Sequence, residues 1–424
     1  MATSEYLLHY VWKYRIFDRT DLQTVDGEPL EIIDPGVRNS DAGADFFNAK
    51  IRIGEKIWAG DVELHGSSDE WTRHGHHTDE RFNSVILHVA ERVKGSVRNQ
   101  KGALIPQMQL IIPEKVKRSA DYLLNSRSNL PCRYQLPLVE REIVTTWLAA
   151  TGIERLERKI NDIRKHLERF NNSWDQAFYV LLTRNFGFGL NSDIFERLAL
   201  SLPFNCIMRH GDSLLQVEAL LFGQAGMLYG DGATDDYCQQ LRREYEFLRL
   251  KYRLQPVPSY LFKQLRVRPN AFPQVRIAQL AALLKQRGRL FPLLLEEDDP
   301  AQLRLYFQVE ASDYWHTHYS FGKRSTKSRK YLGDSSCNVI LINTVVPMFF
   351  VYGQKTGQEK FCERAMQLLE SLKPERNAII TEFEKAGIFP ANAFDSQALI
   401  QLRRAYCERG KCLYCKIGYR ILSR

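Results

Sequence analysis

Gly43-Ala44-Asp45-Phe46 and Trp58-Ala59-Gly60-Asp61-Val62-Glu63-Leu64-His65 are the two stretches on which the fold of this 424-residue chain turns. Phe46–Ile53 reads as a strand, Gly54-Glu55-Lys56 as a turn and Ile57–His65 as a second strand. Alternate side chains of a strand share a face. Asp61, Glu63 and His65 should therefore point together, with Val62 and Leu64 directed into a core. Asp45 stands at the start of the neighbouring strand, eighteen positions before Glu63. Ionisable groups crowded in this way need a compensating cation, and hard divalent cations take carboxylate oxygens. Asp45 and Glu63 are thus candidate ligands of a hard divalent cation such as Mg2+ or Mn2+, with Asp61 as an additional ligand and His65 on the same face. Such a metal acidifies its bound water and stabilises charge developing on a phosphoryl group.

Outward from this centre, Tyr6, Leu7, Tyr10, Val11, Tyr14 and Phe17 recur at helical spacing and predict a short helix over 5–18. Residues 22–33 read as a hairpin about Asp26-Gly27, and Asp34-Pro35-Gly36 breaks the chain. Residues 66–84 are polar and irregular. Ser84–Val89, which carries His88, and Gln107–Ile112, bounded by Pro106 and Pro113, read as further strands. Several strands with few helices between them predict a mixed sheet. From residue 138 helical periodicity takes over, across 138–170, 173–186, 191–201, 213–228, 236–252, 274–287, 338–352, 358–371, 375–386 and 394–407. The expected class is α+β: a mixed-sheet α/β domain over 1–138, then a mainly α-helical domain over 139–424 with a C-terminal cysteine cluster.

Composition agrees with a globular chain: 44% of residues are hydrophobic and 26% charged. No apolar run approaches the roughly 20 residues that span a bilayer, and the N-terminus lacks a basic and then apolar signal pattern. The expectation is a cytoplasmic protein without a membrane partner. The net charge of +9 is unevenly placed. Residues 1–139 hold 18 basic against 19 acidic side chains, and the remainder holds 41 against 31. A basic body suits a polyanion such as nucleic acid. Its densest cluster is Lys323, Arg324, Lys327, Arg329 and Lys330, with Tyr314, Trp315, Tyr319 and Phe321 interleaved as candidate base-stacking groups. Lys263, Arg266, Arg268 and Arg276 form a second cluster, and Lys411, Lys416, Arg420 and Arg424 a third.

Five of the ten histidines, His65, His74, His76, His77 and His88, fall within 24 residues. The His74-Gly-His76-His77 segment is read chiefly as a polar lid over the strand face, with His76 or His77 contacting phosphate or moving protons. Neutral imidazole also ligates transition metals, although this spacing matches no zinc motif. His88, on an apolar strand, reads as a core histidine. Near the C-terminus, Cys407, Cys412 and Cys415 have the spacing of a thiolate knuckle for Zn2+ or an Fe–S cluster. Cys337, Cys362 or a distant histidine would supply the fourth ligand. Cys132, Cys206 and Cys238 read as isolated buried thiols.

Asp45, then Glu63-Leu64-His65 on a strand after a short hairpin, resembles the signature of the PD-(D/E)XK nuclease superfamily, whose fold is that of restriction endonucleases. The resemblance implies that Asp45 and Glu63 bind Mg2+ and that the residue at position 65 positions or activates the attacking water. Ala44 stands where that superfamily has Pro, and His65 stands where it has Lys. Nearly the whole chain also resembles a bacterial family known only as a domain of unknown function. That resemblance is carried by Gly43–Phe46, Trp58–His65, Ser68-Asp69-Glu70-Trp71, Val85-Ile86-Leu87-His88, Asn185-Phe186-Gly187-Phe188, Glu218–Ala225 and Cys412–Gly418. Three functions follow as expectations: a metal-dependent nuclease with an altered site, a non-catalytic nucleic-acid-binding or scaffold protein that keeps the fold, or, after these, a His/Asp metal hydrolase acting on a small substrate.

Overall fold

The structure, a computed structural model, describes residues 4–39, 41–126, 128–230, 235–265 and 267–424. The protein is α+β, with an N-terminal curled mixed sheet followed by a mostly helical region. It divides into two compact units. One comprises Met1–Trp147 with Leu402–Arg424, and the other Leu148–Gln401. The expected boundary at 138/139 precedes helix α4 (Arg141–Arg169), whereas the units divide within that helix.

The first unit opens with α1 (Glu5–Tyr14), capped by Ser4, whose side chain accepts a hydrogen bond from the Leu7 N–H. Leu7, Leu8, Val11 and Trp12 form its buried stripe. Strands β1 (Leu30–Asp34), β2 (Val37–Arg38), β3 (Phe46–Ile53), β4 (Lys56–Ser67), β5 (Val85–Arg92), β6 (Val97–Arg98), β7 (Leu104–Ile105) and β8 (Gln107–Gln109) follow. The main sheet has the order β1-β3-β4-β5-β8, with β2 also paired to β3, while β6 and β7 form a separate hairpin. β1, β3 and β4 run antiparallel; β5 and β8 are parallel to β4. A two-residue connection joins β3 to β4, and Gly54 takes the positive φ (57°) that such a tight hairpin favours.

The sheet is irregular where the site lies. Register shifts between Phe46 and Ala49 on β3, where Asn48 adopts φ 57°. It shifts again between Asp61 and Val62 against β5, where Ile86 is the extra residue. Bulges of this kind re-aim side chains. The middle of β4 is covered on both faces: Val62, Glu63, Leu64 and His65 are all buried. A short helix α2 (Glu70–Arg73) follows β4, and its Trp71 is fully buried beside Ala44, Phe82, Val85, Val97 and Ile105. The unit also contains α3 (Glu114–Asn125), which was not among the expected helices. Its buried stripe is only Val116, Ala120 and Leu123 among polar neighbours.

The second unit is built from helices around one large apolar core. α5 (Trp174–Phe186) and the helices Leu214–Gln224 and Pro273–Arg287 contribute to it. The helix over Asp334–Thr356 is long and apolar enough to cross a membrane by length and composition, but 67% of its apolar window is buried inside the protein. Its run of Ile340, Leu341, Val345, Met348 and Phe349 lies in the core, and a π-helical turn, Leu341–Val345, interrupts it.

Glu218 is fully buried in this unit and accepts hydrogen bonds from Tyr237 and Ser312. Burial outweighs those bonds and pushes its carboxyl from 4.5 up to about 7. The folded-state value lies above the unfolded one. The resulting contribution to stability is therefore complete below about pH 4.5 and is lost as pH rises through about 7, amounting to about 3 kcal/mol. Urea unfolding of Glu218→Gln and the native chain should show the variant gaining relative stability by this order between pH 5 and pH 8. Parallel pH profiles would contradict the assignment.

Candidate active site

The two acidic residues of the opening stretches brace each other through the backbone. The Asp45 N–H donates to Glu63 Oε2 at 2.9 Å, and the Leu64 N–H donates to Asp45 Oδ2 at 3.0 Å. The start of β3 and the centre of β4 thus hold both carboxylates in place, and each keeps one oxygen outside this brace. From α1, His9 brings its Nε2 to 3.0 Å from Asp45 Oδ2, and Glu5, one turn earlier, lies 3.9 Å from the same nitrogen. Glu5 and His9 were not singled out in the sequence, although their i, i+4 spacing puts them on one helix face.

Asp61 has a different environment. Its Oδ1 accepts the N–H of Asn48, the left-handed residue of the β3 bulge, at 3.3 Å, and its Oδ2 accepts the Ser84 hydroxyl at 2.5 Å. The β4–β5 bulge lies immediately after it. Its carboxylate thereby ties the backbone of the β3 bulge to the side chain of the residue before β5, which is a structural task. The extra residues of both bulges lie on the strands beside Asp61, Asn48 on β3 and Ile86 on β5, and β4 itself runs on unbroken.

His65 is 1% exposed and starts a buried chain of hydrogen bonds. Its Nδ1 lies 2.9 Å from His88 Nε2, His88 Nδ1 lies 3.2 Å from Gln107 Oε1, and Gln107 Nε2 donates to the Gly95 carbonyl at 2.7 Å. The carbonyl can only accept, so the Gln107 amide group must face it and its oxygen must face His88. His88 then carries its proton on Nδ1 and offers a lone pair at Nε2. His65 donates from Nδ1, which leaves its own Nε2 unprotonated. That nitrogen is buried and has no hydrogen-bond partner. Burial, reinforced by the neighbouring imidazoles, holds His65 down to about 2, and burial brings His88 down to about 4, so both rings are neutral.

The free His65 nitrogen faces a compact group. Glu63 Oε1 lies 3.6 Å from it and 3.2 Å from His76 Nε2. Burial raises the Glu63 carboxyl above its ordinary range, with Asp45 adding to the rise, while the hydrogen bond from His76 opposes it. Among the described residues, two sets of three side chains hold potential ligand atoms within 4.8 Å of one another: His65, His74 and His76, and Glu5, His9 and Asp45. His74 caps the end of α2 and His76 begins the next turn. His77 is exposed and belongs to neither set. A hollow of about 830 Å3 elsewhere on this unit meets the site's hydrogen-bond chain only at its far end, Gln107 and Gly95.

The C-terminal cysteines do not form such a set among the described residues. Cys412 donates its thiol to the Leu123 carbonyl at 3.7 Å. Burial raises Cys412 to about 11 and pushes Cys407 and Cys415 upward as well. Cys132, read as isolated, sits close enough to Cys412 and Cys415 for their charges to act on it, and burial takes it to about 12. Cys337 and Cys362, the expected fourth ligands, lie in the other unit and donate to backbone carbonyls there.

Of the basic cluster in the second unit, Lys323, Arg324 and Lys327 are exposed. Arg329 pairs with Glu310 at 2.8 Å. Lys330 is buried, donates to the Ser328 carbonyl at 2.7 Å and lies over the Tyr319 ring. Trp315 and Phe321 pack with Phe222 in the core, which removes them as base-stacking surfaces. Arg276 lies over the Phe188 ring. Arg266 lies outside the described residues. In the third cluster, Arg420 pairs with Glu140.

The profile of a family described as a protein of unknown function (DUF2851) matches residues 5–378. The chain belongs to this family. The matched span contains Asp45, Glu63 and all five clustered histidines, and it stops before Cys407. No curated protein and no solved structure matches the chain.

The role of Asp61 can be checked directly. Asp61→Ala should cost about 1–2 kcal/mol of stability by leaving the Asn48 N–H and Ser84 hydroxyl without their acceptor, and should leave metal binding unchanged. Unchanged denaturant stability together with lost metal would place Asp61 in the site instead.

Proposed function

We propose that the first unit is a metal-dependent phosphodiesterase acting on nucleic acid, a PD-(D/E)XK-like nuclease in altered form. The observation that carries this reading is the cross-braced pair, Asp45 at the head of β3 and Glu63 at the centre of β4. It holds a buried carboxylate oxygen against the neutral nitrogen of His65. The strand–turn–strand setting of the pair is the one that the restriction-endonuclease resemblance requires.

The donor set fits a divalent cation but departs from what Mg2+ prefers. Mg2+ takes oxygens in near-octahedral geometry, whereas Glu63 Oε1 is surrounded by imidazole nitrogens. Mn2+ and later first-row ions accept mixed nitrogen and oxygen ligands more readily. A bound ion would supply Lewis acidity toward a phosphoryl oxygen and an acidified water. The chain's own residues do the rest. Leu64 N–H fixes the Asp45 carboxylate, and Asp45 N–H fixes that of Glu63. His65, standing at the lysine position, presents a lone pair and so accepts a proton or ligates metal, but it brings no permanent charge. Exposed Lys323, Arg324 and Lys327 on the second unit offer phosphate contacts, which are the salt-sensitive part of such binding.

Purified protein incubated with single- and double-stranded DNA and RNA should cleave with Mn2+ more strongly than with Mg2+, and not at all with a chelator. Glu63→Gln should reduce cleavage by on the order of 100-fold or more. Cleavage that survives Glu63→Gln, or binding without cleavage under every divalent ion, would overturn the reading; the latter would favour a non-catalytic nucleic-acid-binding protein.

A further inference from the structure

The loop after β4 brings three imidazole rings into a triangle. Ring centroids lie 5.2 Å apart for His65 and His74, 5.3 Å for His65 and His76, and 5.6 Å for His74 and His76. The three come from different depths. His65 is fixed in the sheet, His76 is half-buried and stacked on Phe82 at 3.9 Å, and His74 is exposed at the end of α2. The short α2 is itself pinned, because Trp71 is buried and its indole N–H donates to the Arg98 carbonyl at 2.9 Å. Two histidines on a pinned turn, set over a third on a rigid strand, are placed by long-range packing that their sequence spacing does not encode.

We infer that His65, His74 and His76 form a binding site for a late first-row divalent cation, with Zn2+ as the favoured ion and the Glu63 carboxylate at its edge. Two independent observations carry this. One ligand atom from each of the three side chains lies within 4.8 Å of the others. The Nε2 of the buried ring is a lone pair with no donor, and it faces a carboxylate oxygen 3.6 Å away, itself an acceptor. Two acceptors turned toward each other inside a protein are unfavourable unless something positive lies between them. Zn2+ binds imidazole nitrogen at about 2.0–2.1 Å in a tetrahedral arrangement. Drawing the three nitrogens onto one ion needs shifts of about an ångström, within reach of the two histidines on the turn.

The hydrogen-bond chain behind His65 is what such a ligand needs. Metal-binding histidines donate their other ring N–H to a fixed acceptor, which sets the tautomer and the orientation of the ring. Here His88, held by Gln107 and the Gly95 carbonyl, plays that part. His88 and Gln107 are positioning residues, since neither reaches the site. The inference concerns the metal of the site proposed above and borrows its location, but not its substrate, so it is tested with no nucleic acid present.

The test uses the full chain, stripped with chelator and dialysed, then titrated with Zn2+ by calorimetry and with Co2+ by visible absorption. One equivalent of Zn2+ should bind and resist a large excess of Mg2+. The Co2+ form should show ligand-field bands without thiolate charge-transfer absorption. His74→Ala, at an exposed position that leaves the core intact, should weaken Zn2+ binding by about 100-fold, and Gln107→Leu by about 10–100-fold. Cys412→Ser with Cys415→Ser should not change it. His65→Ala, which opens a buried hole, is read only if circular dichroism shows a native fold. Absence of stoichiometric binding, thiolate bands with Co2+, or full affinity in a His74→Ala/His76→Ala double variant would overturn the inference. Metal bound as expected without nuclease activity would overturn the proposed function alone.

Discussion

The buried carboxylate of Glu63 is the constraint around which the first unit is arranged. A charged group at the centre of a sheet strand is costly to bury unless every lone pair has company. The chain provides that company from two directions. The backbone of Asp45 reaches across from β3, and His76 reaches down from the turn after α2. His65, two residues along the same strand, sets an unprotonated nitrogen beside the carboxylate. Each of these is itself held. Asp45 is tied to Leu64 N–H, His76 is stacked on Phe82, and His65 is anchored through His88 to Gln107 on β8. The parallel pairing of β4, β5 and β8 sets His88 beside Glu63 and Gln107 beside His88, which makes the anchor possible.

Much of the framework was legible because it depends on local periodicity. The helix at 5–14, the strands about Gly54 and most helices of the second unit fall where apolar spacing puts them. What escaped is what local spacing does not contain. Helix α3 is the exception, because Val116, Ala120 and Leu123 recur at helical spacing opposite its charges, a pattern the sequence does carry. Asp61 was grouped with Glu63 and His65 by alternation along β4, but its hydrogen bonds to Asn48 and Ser84 depend on bulges in the two neighbouring strands, which that alternation does not contain. His9, Gln107 and Cys132 take their places through contacts between residues far apart in the chain. The histidine density was visible, but the convergence of His65, His74 and His76 depends on how Trp71 and Phe82 seat the turn, and that is a matter of packing.

The basic clusters show the same division between composition and structure. A run of Lys and Arg suggests a phosphate surface, yet Arg329 is paired and Lys330 is buried against Tyr319. The nearby aromatics belong to the core beside Phe222. The positive surface is therefore narrower than the run of charges: Lys323, Arg324 and Lys327 are exposed, and Arg329 is exposed but engaged by Glu310.

The histidine at position 65 changes the electrostatics of the site more than its size suggests. A lysine there would bring a permanent positive charge next to Glu63 and Asp45 and would offset part of their charge without any metal. A neutral imidazole brings none, so the two carboxylates keep their full demand for a counter-charge. The same exchange replaces a donor with a lone pair, which turns a group that repels cations into one that binds them. Two further imidazoles in the turn above move the donor set from oxygen toward nitrogen, and with it the preference from Mg2+ toward borderline ions. On the proposed reading, a site altered in this way would depend on its metal more than a lysine-bearing one and would select a different ion.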